Sequence, residues 1–120
     1  MNKIIAIIVF SILIISCQKD IENITIKGTL FDKSTHKPLK NKNIIIEIEC
    51  WKYGNSPDES YNEHEKKYVK IDSNGNYTVN FNKGAFVTFQ IFENGYSIYI
   101  DNLYINKKQH IHDIYLANLN

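Results

Sequence analysis

Two imidazoles, His110 and His112, stand two residues apart in "HIHDIYL", the spacing that puts both on one face of a strand about 6.8 Å apart. Such a pair can chelate a transition metal, but a site needs third and fourth ligands. His36 and His64 lie elsewhere, in no metal-ligand spacing. Asp72, Asn74 and Asn76 fall at positions 1, 3 and 5 of a calcium loop. Tyr77 then stands where that loop needs Gly, and Lys83 where it needs Glu, so a turn accounts for these residues better. Glu47 and Glu49 share a strand face in the manner of paired glycosidase carboxylates, with no sign of a pocket that raises one of them. Cys50 runs in phase with Ile44, Ile46 and Ile48 and reads as a small buried residue rather than a nucleophile. The chain holds no Gly-rich phosphate loop, no Ser-His-Asp order, no Cys-x-x-Cys and no His-Glu-x-x-His. The expectation is no enzyme, no catalytic residue, no metal site and no cofactor.

The aromatic residues offer a different kind of site. Trp51 and Tyr53 are in phase along one strand and precede a polar stretch, residues 54–63, that contains Tyr61. Three such rings form a candidate ligand surface for a sugar or a peptide, because each combines a large apolar face with a polar edge.

Cys17 carries a chemistry of its own. The chain opens Met1-Asn2-Lys3, a short basic start, and continues through the apolar run Ile4–Ile15. As a helix those residues reach about 18 Å, well short of the hydrocarbon core, so a permanent span is not expected. A basic start, a short apolar run and a small residue at the cut describe a secretory signal helix that is removed. Ile14-Ile15-Ser16-Cys17 resembles the lipobox of bacterial lipoproteins. The resemblance implies diacylglycerol on the Cys17 thiol, cleavage before it and a further acyl chain on the new terminus. One chain holds a protein only marginally at about 0.8 kcal/mol per buried methylene; several hold it firmly. Gln18-Lys19-Asp20, with Glu22 beyond, resembles the short charged export tag that sends some lipoproteins to the outer face of the outer membrane. The expected location is therefore the outer membrane, lipid-anchored and exposed at the cell surface.

Cleavage leaves residues 17–120, the size of one domain. Every basic residue is Lys, and with Lys3 removed 13 Lys balance 13 acidic residues. Without a basic patch and without Arg, nucleic acid is not an expected partner. With Cys17 lipidated, Cys50 has no partner for a disulfide.

The body alternates apolar and polar residues over short stretches and never holds a helical period. "NITIKGTLF" puts Ile24, Ile26, Gly28 and Leu30 on one face, and "NIIIEIECWKY" does the same with Ile44, Ile46, Ile48 and Cys50. "HEKKYVKI" is Lys-rich enough for an edge strand. Asn74-Gly75 supplies the positive φ of a tight hairpin, and Asn94-Gly95 is a second such signal. Strands carrying Tyr77, Val79 and Phe81, then Val87, Phe89 and Ile91, follow in register. "YSIYIDNLYI" and "HIHDIYLANL" read as the last two. The reading is all-β: seven strands in a two-sheet sandwich. It divides the chain into a signal segment at 1–16, a lipidated Cys and tether at 17–22, and the sandwich at 23–120.

Gly28, Asp32, Thr35, Pro38, Leu39, Asp72, Gly75, Tyr77, Gly95 and Tyr96 together resemble the carboxypeptidase regulatory-like domains. Ile71 stands where that family favours Thr, and His36 where it favours a turn Gly. The resemblance implies a seven-stranded transthyretin-like (prealbumin-like) sandwich serving as a non-catalytic accessory or extracellular module. The functional expectation is a binding or interaction module held to the membrane through Cys17, with an unidentified protein or glycan as its partner. The alternative is an inhibitor or immunity lipoprotein that neutralises a toxin or lytic enzyme.

Overall fold

The computed structural model describes residues 20–53 and 61–119, the side chains of residues 61–63 excepted. The signal segment, Cys17, Gln18 and Lys19 lie outside the described residues, as do residues 54–60. The chain is all-β: β1 (Ile21–Asp32), β2 (Ile45–Tyr53), β3 (Tyr61–Lys70), β4 (Asn76–Gly84), β5 (Phe86–Ile91), β6 (Tyr99–Tyr104), β7 (Gln109–Ile111) and β8 (Ile114–Leu116). Among the described residues no helix is long and apolar enough to cross a membrane.

Two sheets face each other. One is ordered β4-β1-β7, with β8 also paired to β1, and the other β3-β2-β5-β6. The alternation read from the sequence sets which face of each strand is buried. Ile24, Ile26 and Leu30 of β1 meet Ile46, Ile48 and Cys50 of β2 in the core. Tyr77, Val79, Phe81, Val87, Phe89 and Ile91 fill the space between them. Burying such a row stabilises by roughly 1.5–3 kcal/mol for each large apolar side chain. β3 is an outer strand, as its lysines suggest. One of those lysines also links the two sheets. Lys67 Nζ donates to the Asn80 carbonyl and lies 5.0 Å from the centre of the Phe81 ring, joining β3 to β4 across the side of the sandwich.

Three features differ from the sequence reading. First, the ladder starts at Ile21, not at residue 23. Ile21 and Glu22, assigned to the tether, pair with Gly84 and Lys83, because Ile21 still packs on the core. Second, the described residues form eight strands rather than seven. The last strand divides at His112-Asp113, although its register on β1 is unchanged on either side, Lys27 opposite Ile111 and Leu30 opposite Ile114. At the gap the Asp113 carboxylate accepts from the Thr29 N–H at 3.0 Å, so the interruption leaves that donor satisfied.

Third, Asn74-Gly75 is a corner between sheets and not a hairpin within one, since β3 and β4 belong to different sheets. Asp72 Oδ1 accepts from the N–H groups of Asn74 and Asn76, both at 2.9 Å, which ties the turn locally. Gly75, at φ 86°, offers its carbonyl to Leu30 N–H at 2.8 Å. A β-carbon there would stand 2.9 Å from the Leu39 carbonyl oxygen. The Asn94-Gly95 signal does join antiparallel partners, β5 and β6, though through a longer connection between Ile91 and Tyr99, with Tyr96 bridged to Asn118. The turn after β1 follows its sequence closely: Asp32 Oδ1 accepts from Ser34 N–H, Ser34 Oγ and Thr35 N–H, which holds its carboxyl below the usual range.

Candidate functional site

Trp51 and Tyr53 lie on the outward face of β2, and strand pairing builds a row around the first of them. Trp51 stands opposite His64 of β3 and Phe86 of β5, and Phe86 stands opposite Tyr104 of β6. Four rings thus cross all four strands of one sheet on its solvent side. Trp51 and His64 stack with centroids 4.5 Å apart, and Phe86 and Tyr104 tilt together at 5.0 Å. Tyr104 is 69% exposed, while Trp51 and Phe86 are half-buried by their neighbours. Tyr61 pairs with Tyr53 through the backbone, beyond an irregularity at Lys52/Tyr53; its side chain is outside the described residues.

The row has a charged border. Glu49 Oε2 lies 3.6 Å from His64 Nδ1 and 3.7 Å from Lys66 Nζ. Glu47 and Glu49 do share the outward face. Glu49 is nonetheless spoken for by a histidine and a lysine, and the neighbours of Glu47 across the strands are Tyr68 and Gln90. Asp20, the last residue of the expected export tag, accepts from Tyr53 N–H at 2.8 Å. That bond fixes the residue just before β1 to the end of β2 where the rings are.

Cys50 is buried, its thiol donating to the Lys83 carbonyl at 3.8 Å. Burial, reinforced by Glu65 and Asp20, pushes it up to about 12, which leaves almost no thiolate at neutral pH.

The two imidazoles do not form a pair. His110 is 8% exposed and donates from Nε2 to the Lys107 carbonyl at 3.0 Å, so that nitrogen carries a proton. His112 occupies the gap between β7 and β8, with 13% of its side chain exposed. Its ring stacks on Phe89 at 4.2 Å. Nε2 lies 3.4 Å from Asp101 Oδ2 and from the Tyr99 hydroxyl, which itself donates to Asp101 Oδ2 at 3.0 Å. Burial lowers the pKa of His112, with Asp101 and Asp113 pulling the other way and His110 adding to the decrease. Burial also raises Tyr99, helped by its bond to Asp101. The trio joins β6 to the β7–β8 junction across the open side of the sandwich, a cross-sheet latch that spacing along the chain did not reveal. Among the described residues, no group of three or more His, Cys, Asp or Glu is placed to hold a metal ion.

A shallow groove of about 360 Å³ opens on the opposite sheet between Lys27, Thr29, Thr78 and Ile111, and one of about 350 Å³ lies by Lys42, Glu93 and Asn118. Neither is lined by residues of the ring row.

No family model matches the chain, and no curated protein does. Solved structures do share its architecture. The 3-chlorocatechol 1,2-dioxygenase from Rhodococcus opacus 1CP superposes with a TM-score of 0.58 at 11% identity, covering 86% of this chain and 62% of the enzyme. The chlorocatechol 1,2-dioxygenase from Pseudomonas putida gives 0.55 at 14% identity over 86% and 61%. The minor pilin GBS52 from Streptococcus agalactiae gives 0.51 at 17% over 86% and 46%. The chain thus spans about three fifths of the length of the dioxygenases it matches. At such identities the likeness concerns the fold, and it establishes a β-sandwich. It also corrects one expectation. Neither the missing motifs nor the likeness to non-catalytic modules excludes an enzyme, because the same sandwich occurs in chlorocatechol 1,2-dioxygenases as well as in a pilin.

Proposed function

We propose that this chain is a lipid-tethered interaction module of the outer membrane, held through Cys17 and making contact through the ring row centred on Trp51. Ile14-Ile15-Ser16-Cys17 supplies the lipid attachment, and Gln18-Lys19-Asp20 the export tag toward the cell surface. The observation that carries the reading is the row itself. His64, Trp51, Phe86 and Tyr104 come from four separate strands and converge on the solvent side of one sheet. Core packing does not require aromatic residues there, because the inward positions of the same strands already fill the interior.

Growth of the producing cells with labelled palmitate, followed by mass spectrometry of the purified protein, tests the attachment. The expected result is a mature chain beginning at Cys17 and carrying diacylglycerol. A chain with unmodified Cys17 overturns it. Protease treatment of intact cells tests the outward face, with digestion of the domain expected before lysis.

A further inference from the structure

The tether is short, and it ends beside the rings. From Cys17 to the first paired residue, Ile21, only Gln18, Lys19 and Asp20 intervene, and Asp20 is already bonded to Tyr53 N–H. Three residues reach about 10 Å when fully extended. Ile21 pairs with Gly84, and Ala85 N–H donates to the Trp51 carbonyl at 2.8 Å, so the start of β1 and the ring row lie at one end of the sandwich. On the reading that Cys17 carries lipid, that end cannot stand away from the bilayer.

From this we infer that the ring row docks onto the headgroup region of the bilayer that holds Cys17, and that the bilayer is its ligand. Trp and Tyr suit that layer, where an apolar ring and a polar edge are satisfied together. The same end carries exposed lysines. Lys107 and Lys108 precede β7, which runs parallel to β1 from Thr25 onward, and Lys83 stands opposite Glu22. Those cations complement anionic headgroups; of the acids at this end Glu22 and Glu65 are exposed, Glu65 lying 3.7 Å from Lys67 and Glu49 being held by His64 and Lys66. Docking fixes the orientation of the domain: the corner at Asn74-Gly75 and the Asn94-Gly95 connection point away from the membrane.

Trp51 is the single tryptophan of the chain, so its emission reports on this end alone. The lipidated protein purified from membranes is placed in phosphatidylglycerol-containing vesicles, with phospholipids either plain or brominated near the headgroup end of the acyl chains. The expected result is a blue shift and loss of Trp51 emission with the brominated lipid. Equal emission in both vesicles, from protein whose mass spectrum shows lipid on Cys17, overturns the docking and leaves the tether standing. An unmodified Cys17 overturns both.

Discussion

The Tyr77 hydroxyl donates to the main-chain carbonyl of His112 at 2.5 Å, across the bare α-carbon of Gly28. Gly28 and Tyr77 are cross-strand partners, and the missing side chain leaves the space that the His112 carbonyl enters. A β-carbon on Gly28 would stand 1.9 Å from that oxygen and 2.7 Å from Tyr77 Cε1. One glycine therefore permits the break in the last strand that carries His112 into the space between the sheets.

Gly28→Ala is expected to destabilise by roughly 3 kcal/mol, because backbone rather than a flexible side-chain tip must move. Tyr77→Phe, which keeps the ring and removes the donor, should cost about 1 kcal/mol. Urea unfolding of the two variants beside the parent measures both. A Gly28→Ala protein as stable as the parent contradicts the account of the strand break.

Gly84 makes a second close approach. A β-carbon there would lie 2.2 Å from Cys50 Sγ. Gly84→Ala is expected to cost about 2 kcal/mol, and much of that should return when Cys50→Ala is combined with it. A double-mutant cycle in denaturant reads the coupling. Strictly additive losses would show that the sulfur is not what limits the space.

The pH dependence follows from His112. Its folded pKa lies below the ordinary 6.5, chiefly through burial, so the folded state favours the neutral ring. The unfolded chain then binds the proton more readily between the two values. This contribution is fully present above about 6.5 and is lost as pH falls through the folded value. The urea midpoint should drop between pH 7.5 and 5, and His112→Gln should flatten that part of the profile.

Cys50 should resist thiol reagents in the folded protein, since its pKa near 12 and its burial withhold both thiolate and access. Mass spectrometry after treatment with a maleimide is expected to show no addition at Cys50 in buffer and complete addition in urea. Fast labelling in buffer would mean that the β2–β4 contact opens readily.

Tyr104→Ser separates contact from folding. The side chain is largely exposed, so stability should change by less than about 0.5 kcal/mol. Partner or membrane contact through the row should weaken. A large drop in the unfolding midpoint would instead make the row part of the scaffold.

What alternation encodes, the sequence told well. The inward residues of β1, β2, β4 and β5 were legible because a two-residue period forces every second side chain to the same side. Pairing between strands was not legible. Trp51 stood out with Tyr53 and Tyr61, but its neighbours His64, Phe86 and Tyr104 join it only through register. The latch of Tyr99, Asp101 and His112 depends on two sheet edges meeting, and an isolated reading of His110 and His112 as a strand pair missed the break at His112-Asp113. The Asn74-Gly75 signal gave the backbone conformation correctly but not which sheet the next strand enters, because a turn sets a local bend and the core decides the destination.

β1 occupies the middle of its sheet, between β4 on one side and the parallel β7 and β8 on the other, and its contacts with the latter span 84 positions. Among the described strands, the first is thus completed by the last two. Until residues 109–116 have been synthesised, that flank of β1 stays unpaired and sticky, so its pairing waits on strands more than 80 positions later. A premature stop before Gln109 would therefore yield an aggregation-prone fragment rather than a slightly shortened domain.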